Sequence, residues 1–340
     1  MNEFEKFPQL KVPVKDALPS GMMMDAASIA TGMAFLTGEL EKRDPKLNEP
    51  MTSTSWPRDL PVRTGGGWND TVSMFDVGYA DPGSASNGGL IGPETNVLAR
   101  VQADIGKEQV RTHVWGMNLM VPYIDQQKLQ QIGRSLDEIL NKGLHLTYDK
   151  MLDRNAYEGV ADGSYGLLND PEIVTVTADP HTPGGTDTDW FHKTPDEILA
   201  DVNRLILATW EASEYDLSGM ANHILLPPKK YAHLVQTKVA ADSGKSILQF
   251  LLENNIGKNQ GVEPFFAPCR WCEGAGTGGT DRMMGYANSV DRVRFDITVP
   301  LRRVMTMADA NSLSYLSPYV SQFSDIQWPY RQHAMYMDGI

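Results

Sequence analysis

The longest regular pattern of apolar and polar positions lies between Ser135 and Tyr157. Its apolar residues recur at intervals of three and four, which places them on one face of an α-helix; they are Leu136, Ile139, Leu140, Leu144, Thr147, Tyr148, Met151 and Leu152. The charged residues fall mostly on the other faces, at Asp137, Lys142, Asp149, Lys150 and Asp153. Ser135 stands three residues before Glu138, the spacing of a capping box. The pattern predicts one amphipathic helix about 35 Å long, followed by a glycine-broken turn that ends in Gly-Leu-Leu-Asn-Asp-Pro.

Two strand-like stretches precede this helix and flank a long polar loop. Residues 72–80 and 110–124 are rich in β-branched and aromatic side chains, and residues 80–94 between them are rich in Gly, Ser, Asn and Pro. The pattern predicts a projecting hairpin. Two strands are marginally stable by themselves, so the hairpin either rests on a neighbouring molecule or is a mobile surface loop of one subunit.

The first fifty-five residues read as an arm. Prolines interrupt the start of the chain, one amphipathic helical segment follows at residues 23–40, and residues 41–61 are polar and broken by proline. Such a segment cannot bury enough apolar surface to form its own core. We expect it to lie along another part of the assembly.

Helices and strands alternate after the long helix without a repeat. Thr194 and Glu197 form a capping box with Pro195 at the first helical position. Further elements are predicted as strands at residues 171–178, 223–227, 265–269, 283–287 and 293–301, and as helices opening at Pro227-Pro228 and spanning residues 246–255. This order predicts an α+β or mixed α/β fold.

Composition and charge exclude several classes of protein. The formal net charge is −13, and the densest basic spots are Arg302-Arg303 and Lys229-Lys230, which argues against a nucleic-acid-binding surface. No stretch approaches the length of a membrane span, and the acidic start is unlike a secretory signal. Two cysteines make no disulfide framework. We expect a soluble protein folded in a reducing cytoplasm.

Two short motifs resemble chemical sites without completing one. Cys269 and Cys272 form a CxxC motif, but a glycine-rich run follows instead of a helix, and no second ligand pair accompanies it. We interpret them as two loop thiols. The run Gly274–Gly279 lacks the lysine and hydroxyl residue of a nucleotide-phosphate loop. We interpret it as a flexible loop.

A cluster of acidic and histidine residues follows the long helix: Asp179, His181, Asp187, Asp189 and His192. Oxygen-rich spacing can hold a divalent ion, but prolines and glycines interrupt the run, so we interpret it as a solvated polar loop. No nucleophile motif accompanies the seven histidines. The sequence therefore predicts no catalytic, cofactor-binding or metal-binding residue and no enzyme.

The order of elements carries more information than any motif. An arm, a projecting hairpin, a long helix, a turn and a helix-and-strand region follow one another, and residues 283–304 and 327–340 close the chain. This order resembles the major capsid protein of tailed bacteriophages, with the Hong Kong 97-type fold. The turn Tyr165-Gly166-Leu167-Leu168-Asn169 resembles that of a subfamily with this motif after its spine helix.

The resemblance implies an α+β fold in five segments: an N-terminal arm (1–55), an extended loop region (56–118), a peripheral domain with the spine helix (119–189), an axial domain (190–317) and a C-terminal return to the peripheral domain (318–340). The last strand, near Tyr319 to Met337, would make that return. The arm and the loop would lie across neighbouring subunits. The axial domain would meet its copies around fivefold and sixfold axes.

The implied function is structural. Pentamers and hexamers of the chain would form an icosahedral virion shell in the host cytoplasm and enclose double-stranded DNA without sequence-specific binding. Scaffolding, portal and decoration proteins would be further partners, with no membrane and no cofactor. Two alternatives stay open: an encapsulin-type nanocompartment shell, and a soluble enzyme that uses the CxxC pair or the Asp/His loop. The first would enclose protein cargo; the second would form a small oligomer with a bound metal or redox-active thiols.

Overall fold

The computed structural model describes residues 53–80, 102–131, 136–160, 163–182, 185–240 and 244–340. They fall within one compact unit, Thr52–Ile340. Most of the expected arm, the amphipathic segment at residues 23–40, most of the hairpin loop and the Ser135 cap lie outside these ranges.

The described ranges contain helices and strands in mixed order. The strands are β1 (Val62–Thr64), β2 (Thr71–Ala80), β3 (Gln102–Pro122), β4 (Val174–Thr177), β5 (His223–Leu226), β6 (Phe265–Pro268), β7 (Arg282–Tyr286), β8 (Phe295–Ile297), β9 (Val299–Arg303), β10 (Met307–Asp309), β11 (Ser314–Ser324) and β12 (Ala334–Asp338). The α-helices are α1 (Trp56–Asp59), α2 (Tyr123–Gln131), α3 (Leu136–Glu158), α4 (Pro195–Ala212), α5 (Pro228–Gln236), α6 (Ile247–Asn254) and α7 (Ile256–Asn259).

The long helix α3 packs on a sheet with the strand order β10-β11-β3-β2, in which β9 also pairs with β11. Leu144 of α3 is buried against Leu119 and Val121 of β3. One turn further along the helix, the ring of Tyr148 lies 5.1 Å from that of Trp115, centre to centre. The predicted helix is therefore confirmed, and its first half packs on β3 and β11.

The predicted hairpin strands are confirmed, with shifted boundaries. β2 and β3 pair in antiparallel register from Thr71 opposite Arg111 to Ala80 opposite Gln102. β11 covers β3 only from Thr112 onward. The two-stranded part, Thr71–Ala80 with residues 102–111, is called the ribbon below.

A second sheet has the order β4-β12-β7-β5-β6, and its strands β12, β7 and β5 are buried on both faces. Successive residues of each strand point to opposite faces. Those facing α4 include Ile224, Leu226, Met283, Met335 and Met337. Those in the same cluster as Leu152, Ala156 and Tyr157 of α3 include Leu225, Met284, Tyr286, Ala334 and Tyr336. Two covered faces explain why these strands read as nearly continuous apolar runs.

Some sequence-based boundaries are wrong. The single closing strand expected near residues 319–337 is two strands, β11 in the first sheet and β12 in the second. The stretch at residues 293–301 is likewise divided into β8 and β9. In each case a strand leaves one set of partners and the next joins another, a change that local propensity does not encode.

The turn after α3 closes the end of that helix. The amides of Leu167 and Leu168 donate to the carbonyls of Ala156 and Tyr157, at 2.8 and 3.1 Å. Asn169 donates from its side-chain amide to the carbonyl of Glu158 and accepts from the amide of Gly166. These bonds satisfy carbonyls that a helix end leaves without intrahelical partners. The Gly-Leu-Leu-Asn motif therefore acts as a helix C-cap.

Asp153 corrects the expected solvent-facing side of α3. Its side chain is fully buried and accepts hydrogen bonds from the backbone amides of Ser55, at 2.7 Å, and Trp56, at 3.2 Å. Arg270 and Trp271 donate to its second oxygen at 3.0 and 2.9 Å. The carboxylate therefore stabilises the start of α1 from a different helix. Thr147, in contrast, is exposed although the pattern placed it on the apolar face.

Asp59, at the end of α1, is a second fully buried carboxylate. Arg58 donates to it at 2.6 Å, Tyr157 of α3 donates its hydroxyl, and His223 of β5 lies 3.1 Å away. Burial alone would raise the pKa of Asp59, but the hydrogen bonds from His223, Arg58 and Tyr157 outweigh it and hold the pKa below its usual value. The hydroxyl of Tyr286 also donates to the backbone carbonyl of Asp59.

A glycine substitution at Gly166 tests the C-cap, and one at Gly143 serves as its comparison. A Cβ at Gly166 would lie 2.4 Å from the carbonyl carbon and oxygen of Tyr157. We expect Gly166→Ala to displace the turn and lower the free energy of unfolding by about 3 kcal/mol, the range of overpacked sites. Gly143 lies within α3, with open space around its Cα. Gly143→Ala should raise the free energy of unfolding by roughly 1 kcal/mol.

Thermal and urea unfolding of both variants measures these changes. Equal effects of the two substitutions would mean that the close approach at Gly166 does not constrain the turn.

Because of Asp59, we expect the free energy of unfolding to fall in acid. Because its folded-state pKa is lowered, its contribution is fully present above about pH 4, the usual pKa of an aspartate, and is lost as the pH falls through the lowered value. Asp59→Asn removes the charge that faces Arg58 and His223. We expect roughly 3 kcal/mol less free energy of unfolding at neutral pH and a flatter dependence in acid, measured by urea titration.

Asp76→Asn, at an exposed position of the ribbon, is the matched control and should leave both quantities close to those of the wild type. An Asp59→Asn subunit as stable as the wild type at neutral pH would show that the buried charge contributes nothing.

Candidate functional site

The Asp/His loop does not form one site. Its residues form four separate pairs: Asp179 with Arg204 at 2.6 Å, His181 with Glu197 at 2.9 Å, His192 with Asp187 at 2.7 Å, and Asp189 with Lys230. The Thr194 amide and the His181 ring lower the pKa of Glu197 to about 2. Over the described ranges, no three Asp, Glu, His or Cys residues are grouped to hold a metal ion. These pairs fix the loop and the start of α4.

The CxxC pair lies in the core, which corrects the interpretation as loop thiols. Cys269 and Cys272 bracket a single 3₁₀ turn after β6 and are 1% and 0% exposed. Burial raises the pKa of the Cys272 thiol well above its usual value, so this side chain stays protonated and packs as an apolar group. Both sulfurs belong to the cluster that covers α3.

The glycine-rich run also has a structural contact. Thr277 donates its amide and its hydroxyl to one carboxylate oxygen of Asp338, at 2.8 and 2.9 Å. Arg282 donates to both oxygens of the same carboxylate. The run therefore closes over the end of β12, and the carboxylate of Asp338 engages both the amide and the hydroxyl of Thr277.

The ribbon exposes apolar side chains on one of its faces. Phe75, Val77 and Ile105 are 68%, 50% and 67% exposed. Val77 lies opposite Ile105, and Phe75 is the next residue of β2 on that face. These three side chains, called the ribbon stripe, form a contiguous apolar surface on a two-stranded element.

The other face of the ribbon contacts the subunit at Met74 and Glu108. Met74 is 4% exposed, and Glu108, directly opposite it, forms an ion pair with Arg331 at 2.6 Å. Sequence reasoning missed this pair because Glu108 and Arg331 are far apart along the chain and neither belongs to a motif. The ribbon is thus attached by one face and presents apolar side chains on the other.

A surface of this kind can bind another molecule. Exposed apolar side chains grouped together mark interaction sites, and unpaired strand edges can accept a further strand. No helix in the described part of the chain is long and apolar enough to cross a membrane. The surface offers shape and apolar area, with no reactive group among its three residues.

Comparison with known proteins identifies the family. A model of the major capsid protein family matches residues 87–340. The structure is similar to the capsid of the Myoviridae phage XM1, at 14% identity and a TM-score of 0.72, over 89% of this chain and 98% of that one. No curated protein sequence matches the chain.

Two further capsids show the same fold. Similarity to the capsid of an empty GTA particle gives 12% identity and a TM-score of 0.57, over 90% of this chain and 97% of that one. Similarity to the capsid chain of Microbacterium phage Oxtober96 gives 13% identity and a TM-score of 0.55, over 89% and 93%. The predicted Hong Kong 97-type α+β fold is confirmed. With more than half of its length matched by the family model, the chain belongs to the major capsid protein family and is a capsid shell protein.

Proposed function

We propose that this protein assembles into pentamers and hexamers that form the icosahedral head shell of a tailed phage around double-stranded DNA. The observation that carries the proposal is the ribbon stripe. Phe75, Val77 and Ile105 expose apolar surface on an element that is marginally stable without support. A second copy of the chain is the partner that a shell subunit meets on every side.

The contact is of the head-to-tail kind. The ribbon of one copy would pack on the body of the next, so two different surfaces meet in each contact. Repeated contacts of this kind close into rings, as pentamers and hexamers require. We place the arm, residues 1–55, across a neighbouring copy as well.

The two sheets correspond to two proposed domains of the subunit. α3 and the sheet of β2, β3, β10 and β11 would form the peripheral domain, from which the ribbon extends. The sheet of β5, β6 and β7, with α4 to α6, would form the axial domain around the symmetry axes. β12 belongs to this second sheet, so we assign the end of the chain to the axial domain, and β9 and β10, which lie within residues 190–317, to the peripheral domain.

The charge supports enclosure of DNA without a specific grip. A formal net charge of −13 disfavours tight binding to phosphate, so packaged DNA would be retained by the closed shell. Assembly in the host cytoplasm, with scaffolding, portal and decoration proteins, completes the proposal. No step in it requires catalysis by this chain.

Electron microscopy and size-exclusion chromatography of the chain expressed alone test the proposal. We expect closed shells or capsomer rings from the wild type. A uniform monomer or dimer, both alone and with its scaffolding partner, would contradict it. Particles that contain protein cargo and no DNA, recovered from the native source, would identify a nanocompartment instead; the family match supports the virion.

Substitution of the stripe tests its role in assembly. Phe75→Ser with Ile105→Ser removes two apolar side chains from each contact, which weakens it by about 3 kcal/mol, or roughly 100-fold in its association constant. We expect few assembled particles and subunits that unfold like the wild type. Asp76→Ser, on the other face of the ribbon, is the control and should assemble normally. Normal shells from the double variant would exclude the stripe as a contact.

A further inference from the structure

We propose that Arg331 is a positioning residue that fixes the direction in which the ribbon leaves the subunit. Its guanidinium joins the ribbon to the body through Glu108, and this ion pair is called the Arg331 latch. The effect on shell geometry rests on the proposed function; the effect on the ribbon itself does not.

The geometry of the latch is directional. Two nitrogens of Arg331 donate to the two oxygens of Glu108, at 2.6 and 3.4 Å. The third, Nε, lies 3.4 Å from Asp170 and 3.0 Å from Glu172. A planar guanidinium that binds a carboxylate through two nitrogens fixes its orientation as well as its distance. The latch therefore constrains the angle of the ribbon.

The body side of the latch is connected to the core. Arg331 lies in a 3₁₀ turn, Arg331–His333, that leads directly into β12 in the interior of the second sheet. Asp170 is buried and follows the C-cap of α3. When the pair with Glu108 breaks, Asp170 and Glu172 still hold the guanidinium. The ribbon is thus the part that moves.

On the ribbon side, the strands are fixed to β11 at one end and extend from there. Gln322 of β11 accepts from the amide of Asn69 at 3.1 Å and donates to the hydroxyl of Thr112 at 3.0 Å, where β11 stops covering β3. Glu108 lies about 14 Å further along β3. Met74 is buried beside Glu108 on the same face. The ribbon stripe lies beside Glu108 and further from β11. A small change in the ribbon angle at the latch therefore moves the stripe further than it moves the part of the ribbon near β11.

The latch is strong enough to orient the ribbon and weak enough to open. Arg331 and Glu108 are 31% and 32% exposed, and partly exposed pairs contribute modestly to stability. One guanidinium also faces three carboxylates, which leaves excess negative charge. A neighbouring copy that binds the stripe more tightly in another ribbon direction can therefore shift the ribbon away from this pair.

The experiment compares two glutamates that share one arginine. Glu108→Gln removes the ribbon's half of the latch. Glu172→Gln, the matched control, removes a body carboxylate from the same guanidinium and leaves the pair with Glu108. In each background, spin labels at Val77→Cys on the ribbon and Val174→Cys on β4 report the ribbon position by pulsed double resonance in free subunits. The two native cysteines are buried and stay unlabelled.

We expect Glu108→Gln to increase the fraction of displaced ribbons about fivefold, the factor for one partly exposed charge-assisted pair. Glu172→Gln should give the wild-type distance distribution, and both variants should unfold like the wild type. Assembled Glu108→Gln particles should vary more in diameter. An unchanged distance distribution in Glu108→Gln, or the same broadening in Glu172→Gln, would overturn the latch. Failure of the wild type to assemble would contradict the proposed function and leave the distance result valid.

Discussion

Two buried carboxylates, Asp59 and Asp153, hold the parts of the subunit together. A buried charge is costly unless donors surround it, and the donors here come from separate parts of the chain. They include the start of α1, the end of α3, β5 and the turn after β6. Because the cost of burying each carboxylate is offset only when all of its donors are bound, these segments must assemble together. The second half of α3 is thereby fixed against the second sheet, while its first half packs on the first.

The ribbon, in contrast to the body, leaves apolar side chains uncovered. Inside the body, both faces of β5, β7 and β12 are covered, and the polar side chains of His223, Arg282 and Asp338 are hydrogen-bonded. On the ribbon, Met74 and Glu108 attach one face to the body, and Phe75, Val77 and Ile105 remain exposed on the other face. Exposed apolar side chains that are grouped together mark contact sites. A ribbon with such an apolar stripe is the arrangement expected of a subunit that completes its packing on other copies.

The sequence predicted the elements that carry local signals. The helical spacing of α3, the capping box of α4 and the prolines at the start of α5 all depend on neighbours within one or two turns. Contacts between distant segments were not predictable in this way. Asp153 was expected to face solvent because helical periodicity shows only that its side of α3 is more polar than the apolar side. Periodicity does not show that the segment around Ser55 covers this polar side. Glu108 and Arg331 likewise carry no local sign of their pairing. The resemblance of element order supplied the family, which the comparisons then showed.

Hydrogen exchange of the backbone amides, compared between free subunits and assembled particles, tests whether a neighbouring copy covers the ribbon. We expect rapid exchange in the ribbon of free subunits and strong protection there after assembly. The amides of α3 and of the second sheet should be protected in both states, because the subunit completes their packing by itself. Equal exchange of the ribbon in both states would contradict the claim that a neighbouring copy covers it.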